Sequence, residues 1–200
     1  MAAWRFASSQ RYAATPASAS LAALGLERWL EAAAESGRPE LAARARALAS
    51  DSDAQRILAG AFGNSAFLAH VAAAEPETLC AILEDGPDGS VDRALADVRA
   101  LRAGATEEAD LMRALRIAKR RVALGVALAD IAGVWDLAQV TGALSDLADA
   151  ALGAAAAFLL RRAAAARAWQ LADAGDPVKD SGLVVLGLGK LGARELNYSS

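Results

Sequence analysis

From Ser20 to about Ala172, apolar residues recur at intervals of three and four, and the stretch reads throughout as alanine-rich helix. This periodicity is the main constraint on the fold, because stripes of that spacing bury on helices and not on sheets. Composition points the same way. Hydrophobic residues make up 55% of the 200 residues but aromatics only 5%, too few for a β-sandwich.

Local signals place the helix ends. Ser20 is positioned to cap a helix running to about Ser36, with Leu21, Leu24 and Trp29 among its apolar positions. Gly37 ends it, and Pro39 suits the first turn of a second helix reaching about Ala49. Asp51 or Asp53 caps a third through Ile57 and Leu58, and Gly63 and Asn64 break the pattern. Asn64 or Ser65 caps the next helix, which carries Phe67, Leu68 and Val71. Glu75-Pro76 opens another that ends near Leu83, and Asp85 to Ser90 reads as a loop. A helix over 91–103 follows. Thr106, with Glu107 and Glu108 behind it, opens a long helix with the stripe Leu111, Leu115, Ala118, Val122 and Val126. Gly133 and Trp135 mark a turn. Asp136 caps a last helix expected to run to about Ala172, with Leu137, Val140, Leu144, Leu147 and Ala151 inward.

Several classes of chemistry are weakly supported. Net charge is −3 and the isoelectric point is near 5.3, so no whole-chain attraction to nucleic acid or an anionic membrane is indicated. Arg113, Arg116 and Arg120, with Lys119 and Arg121 beside them, form a basic helix face that is either solvated or turned toward an anion. Cys80 is the sole cysteine, which excludes an internal disulfide and makes a reducing cytoplasm the default compartment. It reads as a buried apolar residue. His70, the sole histidine, has no partners for a zinc site. The N-terminus has Arg5 and Arg11 but no signal-type apolar core. The longest apolar run, Ala150 to Leu160, falls short of the ~20 residues of a spanning helix, so a soluble protein is expected.

The pattern changes at Gly182. Leu183-Val-Val-Leu186 is an apolar, partly β-branched run between glycines and reads as a buried strand. Gly187-Leu-Gly-Lys-Leu-Gly192 then has the G-x-G-x-x-G spacing that lets a backbone approach phosphate. A dinucleotide-binding reading needs a helix continuing from Gly192, a second strand and an acidic residue about 20 positions on. A Walker loop fits less well, since neither Ser nor Thr follows Lys190.

The string GLGKLGARELNYSS, Gly187 to Ser200, closely resembles the signature of the glutamine synthetase adenylyltransferase family. The resemblance extends to Phe62-Gly-Asn-Ser-Ala-Phe-Leu68 with Glu75-Pro-Glu77, and to Leu115–Arg121, Asp130–Gly133 and Leu144–Asp149, covering roughly residues 60 to 200. The helical pattern, the loop at Asp85–Ser90 and a linker at Asp173–Pro177 give a mostly α fold with a helical lead region over 1–86 and a long-helix bundle over 87–174. Over 175–200 the resemblance implies the first strand and glycine-rich turn of a polymerase β-type nucleotidyltransferase domain. Such enzymes add AMP to a tyrosine of glutamine synthetase and remove it. The ending Glu195-Leu-Asn-Tyr-Ser-Ser200, and a lead of about 180 residues, resemble the first, AMP-removing copy. Ala193 departs from the glycine often found there.

The resemblance implies phosphorolysis of an AMP–tyrosine diester to ADP. Gly187, Gly189, Lys190, Gly192, Ser199 and Ser200 would contact nucleotide or phosphate, with Arg194 and Glu195 pairing or bracing the turn. It also implies Mg²⁺, ATP or ADP and phosphate in the full enzyme. Glutamine synthetase and a PII-type signalling protein would be partners, with neither nucleic acid nor membrane involved. The Asp-x-Asp pair is expected just past Ser200, so the chain by itself is expected to be inactive. A strand at 183–186 has no sheet partner evident in the sequence, so the last ~20 residues are expected to be poorly ordered or prone to aggregate. Two readings from other classes stay open here: a nicotinamide-dependent enzyme, and a non-catalytic helical interaction module.

Overall fold

The structure, a computed structural model, describes residues 14–104 and 107–198. All regular structure among them is helical: α1 (Ala19–Glu35), α2 (Pro39–Ala49), α3 (Ser52–Asn64), α4 (Ala66–Ala74), α5 (Pro76–Asp85), α6 (Pro87–Gly104), α7 (Glu108–Ile131), α8 (Leu137–Ala165) and the single turn α9 (Gly189–Gly192). The described residues fall into two compact units. One is made of the described residues among 1–91 and 123–140, the other of those among 92–122 and 141–200.

The first unit packs α1 to α5 with the Ala123–Ile131 end of α7. Trp29, Ile57, Leu58, Phe62, Leu79, Ile82, Leu83, Leu124 and Leu128 form its buried centre. α1 meets it through Gly25, Trp29 and Ala33, spaced four apart on one face. Leu21 and Leu24 stay exposed. A Cβ on Gly25 would lie 2.8 Å from the Phe62 side chain, so glycine is what lets the ring approach α1. The Trp29 indole N–H donates to the Pro76 carbonyl at 3.4 Å. At the surface, Arg38 meets Glu77 with two bonds, at 2.6 and 2.8 Å, and Arg44 grips Glu84 at 2.5 and 3.2 Å. Both are forked pairs that orient α2 against α5 more than they stabilise it.

An extended strap, residues 14–18, lies along α3. Ser18 N–H donates to the Gly63 carbonyl at 3.2 Å. The Asn64 side chain accepts from Ala17 N–H at 3.1 Å and donates to the carbonyls of Thr15 (3.0 Å) and Gly60 (2.8 Å). The strap can sit this close because Gly60 and Gly63 carry no side chain. A Cβ on Gly63 would stand 2.4 Å from Pro16 Cβ.

The second unit is built from the Asp92–Gly104 part of α6, the Glu108–Val122 part of α7, α8 beyond Val140, and the chain that follows. Leu111, Ala154 and Phe158 form its core cluster, with Leu101 and Leu115 packed against it. Arg161 Nη2 donates to the Arg102 carbonyl, occupying an acceptor in the last turn of α6, and Arg162 pairs with Glu108.

The helix caps agree with the sequence in most places. Pro39 is the first residue of α2, Asp51 accepts from Asp53 and Ala54 N–H, and Ser65 accepts from Leu68 N–H. Asp136 and Gln139 cap α8 reciprocally, at 2.8 and 2.9 Å.

Five expectations need correction. Ser18, not Ser20, caps α1. The expected break at Gly63 and Asn64 lies inside α3, which runs to Asn64. The expected loop over Asp85–Ser90 shrinks to Gly86 (φ 98°), because Pro87 starts α6 where a missing N–H costs nothing. Leu137 is 78% exposed, because it opens α8 ahead of the part that packs. Lastly, α8 stops at Ala165 and does not reach Ala172. Arg167 adopts φ 59° there, its N–H bonds the Ala164 carbonyl at 2.9 Å, and Ala168 N–H bonds Ala163 at 2.8 Å. That pair of bonds closes a helix with a left-handed residue.

The expected cap Thr106, and Arg5 and Arg11, lie outside the described residues. The Ala150–Leu160 run sits within α8, which is long and apolar enough by length and composition to cross a membrane. Core helices of soluble proteins meet the same measure.

Gly63→Ala should lower stability by about 1–3 kcal/mol in urea melts through its overlap with Pro16. Gly142→Ala, within α8 and facing open space, should instead raise it by about 1 kcal/mol. Cys80 is fully buried, and burial pushes its thiol up to about 11 from 9.0. The folded state therefore holds the proton longer than the unfolded state. Stability from this group is complete below pH 9 and should be lost as pH rises through 11, by about 2–3 kcal/mol. Cys80→Ala should flatten that part of the stability–pH curve; an unchanged slope would contradict the assignment.

Candidate functional site

The segment after α8 is shaped by short polar contacts. Asp173 Oδ1 accepts from Gly175 N–H at 2.8 Å and from Asp176 N–H at 3.2 Å. The backbone N–H groups of Asp176 and Gly175, with Lys179 beside them, hold the Asp173 carboxyl below its ordinary range. Gly182 turns the chain at φ 76°, and the Ser181 hydroxyl accepts from Leu183 N–H at 3.1 Å.

Residues 183–188 then run without helix and without a ladder partner among the described residues. The expected strand is thus not formed. Its alternation is nevertheless visible. Leu183, Val185 and Gly187 line a cleft of about 230 Å³ with Leu152, Gly153 and Ala156 of α8. Val184, Leu186 and Leu188 face away and are 73, 78 and 81% exposed. A strand needs hydrogen-bonding neighbours as well as alternating side chains, and none of the described residues supplies them.

The glycines of the turn act by different means. Gly189 takes φ 57° after the extended Leu188. Gly192 lies against Gly187: a Cβ there would be 2.4 Å from the Gly187 carbonyl oxygen. α9 closes with Arg194 N–H on the Leu191 carbonyl (3.1 Å) and Glu195 N–H on the Lys190 carbonyl (2.7 Å), and Arg194 is left-handed at φ 58°. The helix that a dinucleotide fold would continue from Gly192 ends there instead.

Side chains around the turn divide into two groups. Lys190 is exposed, as is Glu195. Arg194 does not pair with Glu195. Its Nη2 donates to Asp146 Oδ1 at 2.5 Å and its Nη1 to Asp149 Oδ2 at 3.3 Å, both on α8. Asp146 foremost, then Asp149, raises the pKa of a guanidinium that is charged at any ordinary pH. Sequence reasoning placed Leu144–Asp149 on a helix but did not connect its acids to the turn. Their three-residue spacing was the available signal. Ser199 and Ser200 lie outside the described residues.

A divalent ion does not fit the residues present. Among the described residues no three His, Cys, Asp or Glu side chains come together. The two carboxylates at the turn are already engaged by Arg194. What the turn offers is an accessible backbone, whose first N–H groups have no partner within the turn, and one exposed ammonium group.

Gly192→Ala should therefore break the contact with Gly187 and open the turn. Amide exchange at Ala193 and Glu195 should speed up, while α1–α5 exchange as before. Unaltered exchange at both amides would show that the Gly187–Gly192 approach does not shape the turn.

Comparison with known proteins bears on the same residues. The glutamate-ammonia ligase adenylyltransferase family model matches residues 55–200. Proteins named bifunctional glutamine synthetase adenylyltransferase/adenylyl-removing enzyme are similar to the chain. The one from Xanthobacter autotrophicus is 48% identical over 147 residues, covering 74% of this chain and 15% of that protein. The one from Bradyrhizobium diazoefficiens is 40% identical over 162 residues, 81% of this chain and 16% of that protein. The one from Rhodopseudomonas palustris CGA009 is 38% identical over 178 residues, 88% of this chain and 18% of that protein. The chain thus spans about a sixth of the length of these relatives. No solved structure matches it. With the family model covering the helices from α3 onward and the glycine turn, the chain belongs to the glutamate-ammonia ligase adenylyltransferase family.

Proposed function

We propose that this chain is the region of a bifunctional glutamine synthetase adenylyltransferase/adenylyl-removing enzyme that leads from helices into its first, AMP-removing nucleotidyltransferase domain. The observation that carries the reading is the Gly187–Gly192 turn, where Gly192 packs on Gly187, Gly189 faces open space at φ 57°, and Lys190 is exposed. The names of the relatives support the adenylyl chemistry. The ending Glu195-Leu-Asn-Tyr198, followed by two serines, supports the first domain over the second.

In this reading, inorganic phosphate attacks the phosphorus of an AMP–tyrosine diester on glutamine synthetase. The bond from phosphorus to the tyrosine oxygen breaks, ADP leaves, and the tyrosine hydroxyl takes up a proton. Such transfers depend chiefly on positioning and on neutralising oxygen charge. Gly187, Gly189 and Gly192 let N–H groups reach a phosphate, Lys190 offsets its charge, and Ser199 and Ser200 add donors. Mg²⁺, where the full enzyme holds it, would supply further charge neutralisation; no described residue would be its ligand. Residues 183–188 become a strand of the nucleotidyltransferase sheet when neighbouring strands pair with their backbone and a further layer covers Val184, Leu186 and Leu188. The partners in this reading are glutamine synthetase and a PII-type signalling protein, in the cytoplasm, without nucleic acid or membrane. The division into 1–86, 87–174 and 175–200 belongs to the same proposal.

The 200-residue chain alone should release no ADP from adenylylated glutamine synthetase with phosphate present. In the full-length enzyme, Lys190→Ala should slow phosphate-dependent ADP release about 10²-fold and leave AMP attachment from ATP intact. Loss of attachment with release preserved would assign the turn to the opposite activity.

A further inference from the structure

The glycine turn rests on α8 by an apolar contact and an ionic one. Leu191 and Gly187 line one cleft with Leu152, Gly153 and Ala156. Just beyond α9, the Arg194 guanidinium reaches two carboxylates that lie three residues apart on the same helix face, at 2.5 and 3.3 Å. All three side chains are partly exposed (51, 37 and 60%), so the pairs add little to global stability. Their effect is geometric. A planar guanidinium held at two nitrogens fixes rotation as well as distance, which a single ammonium cannot do. Arg194 transmits that constraint because its own backbone closes the turn, through the bonds from Arg194 and Glu195 N–H to Leu191 and Lys190.

We propose that Asp146 and Asp149 are positioning residues for the phosphate-facing turn: acting through Arg194, they set how Gly187–Gly192 is rotated and seated on α8. This rests on the reading of that turn given above. It makes α8 part of the site without any contact between α8 and phosphate. It also accounts for a bulky residue at φ 58°, where glycine would cost less. The side chain needed at that position is the one that reaches α8.

The test has two readouts. In the 200-residue chain, Arg194→Ala and the pair Asp146→Asn/Asp149→Asn should each speed amide exchange at the bonded amides of residues 192–195 about fivefold. Combining them should add nothing further, because one linkage is lost either way. Arg194→Lys should fall between. Exchange in α1–α5 serves as the control for folding. In the full-length enzyme, the two aspartate substitutions should lower kcat for phosphate-dependent ADP release severalfold, with KM for adenylylated glutamine synthetase unchanged. Unchanged exchange, or effects that simply add, would overturn the positioning role. Faster exchange with kcat unaltered would sustain the seating on α8 and overturn the phosphate-binding reading of the turn.

Discussion

Close approach between small residues is the constraint on which this structure depends. Ala33, Ala45, Ala54, Ala61 and Ala72 are fully buried, and Gly25 lies where any Cβ would strike Phe62. Each alanine buries little apolar area, so a core of this kind needs many contacts at short range to offset chain entropy. The few large side chains, Trp29, Phe62 and the buried leucines, fill the space that the alanines leave between helix axes. A structure of this type tolerates added volume poorly at its glycine contacts and readily where a helix glycine faces solvent.

The same device recurs at the strap and at the turn, with different consequences. At Gly60 and Gly63 the missing side chains admit a second backbone, and Asn64 satisfies its donors and acceptors as a neighbouring strand would. At Gly187 and Gly192 they fold one backbone on itself. The turn is carried on α8, through an apolar seat and a two-carboxylate grip on Arg194.

Much of this was legible in the residues alone. Helical spacing, together with Pro39, Asp51, Ser65 and Asp136, located the starts of four helices, because capping is a local interaction of neighbouring atoms. The glycine spacing marked the turn for the same reason. Asp85–Ser90 misled because its residues favour a loop in isolation, whereas Pro87 suits a helix start equally well once Gly86 has turned the chain. The far end of α8 was missed because nothing local forbids helix at Arg167; a left-handed arginine is set by where the chain has to go next.

By itself, the sequence determined helix content, most caps, the apolar run at Leu183–Leu186 and the glycine positions, all of which are local to a few residues. Only the tertiary structure decided that Arg194 faces Asp146 and Asp149 and not Glu195, that Asn64 holds a strap nearly fifty residues earlier, and that residues 183–188 remain without a ladder. Those outcomes depend on which distant atoms are within reach. An arginine has several carboxylates to choose from along a chain, and an alternating segment becomes a strand only where another backbone is present to pair with it.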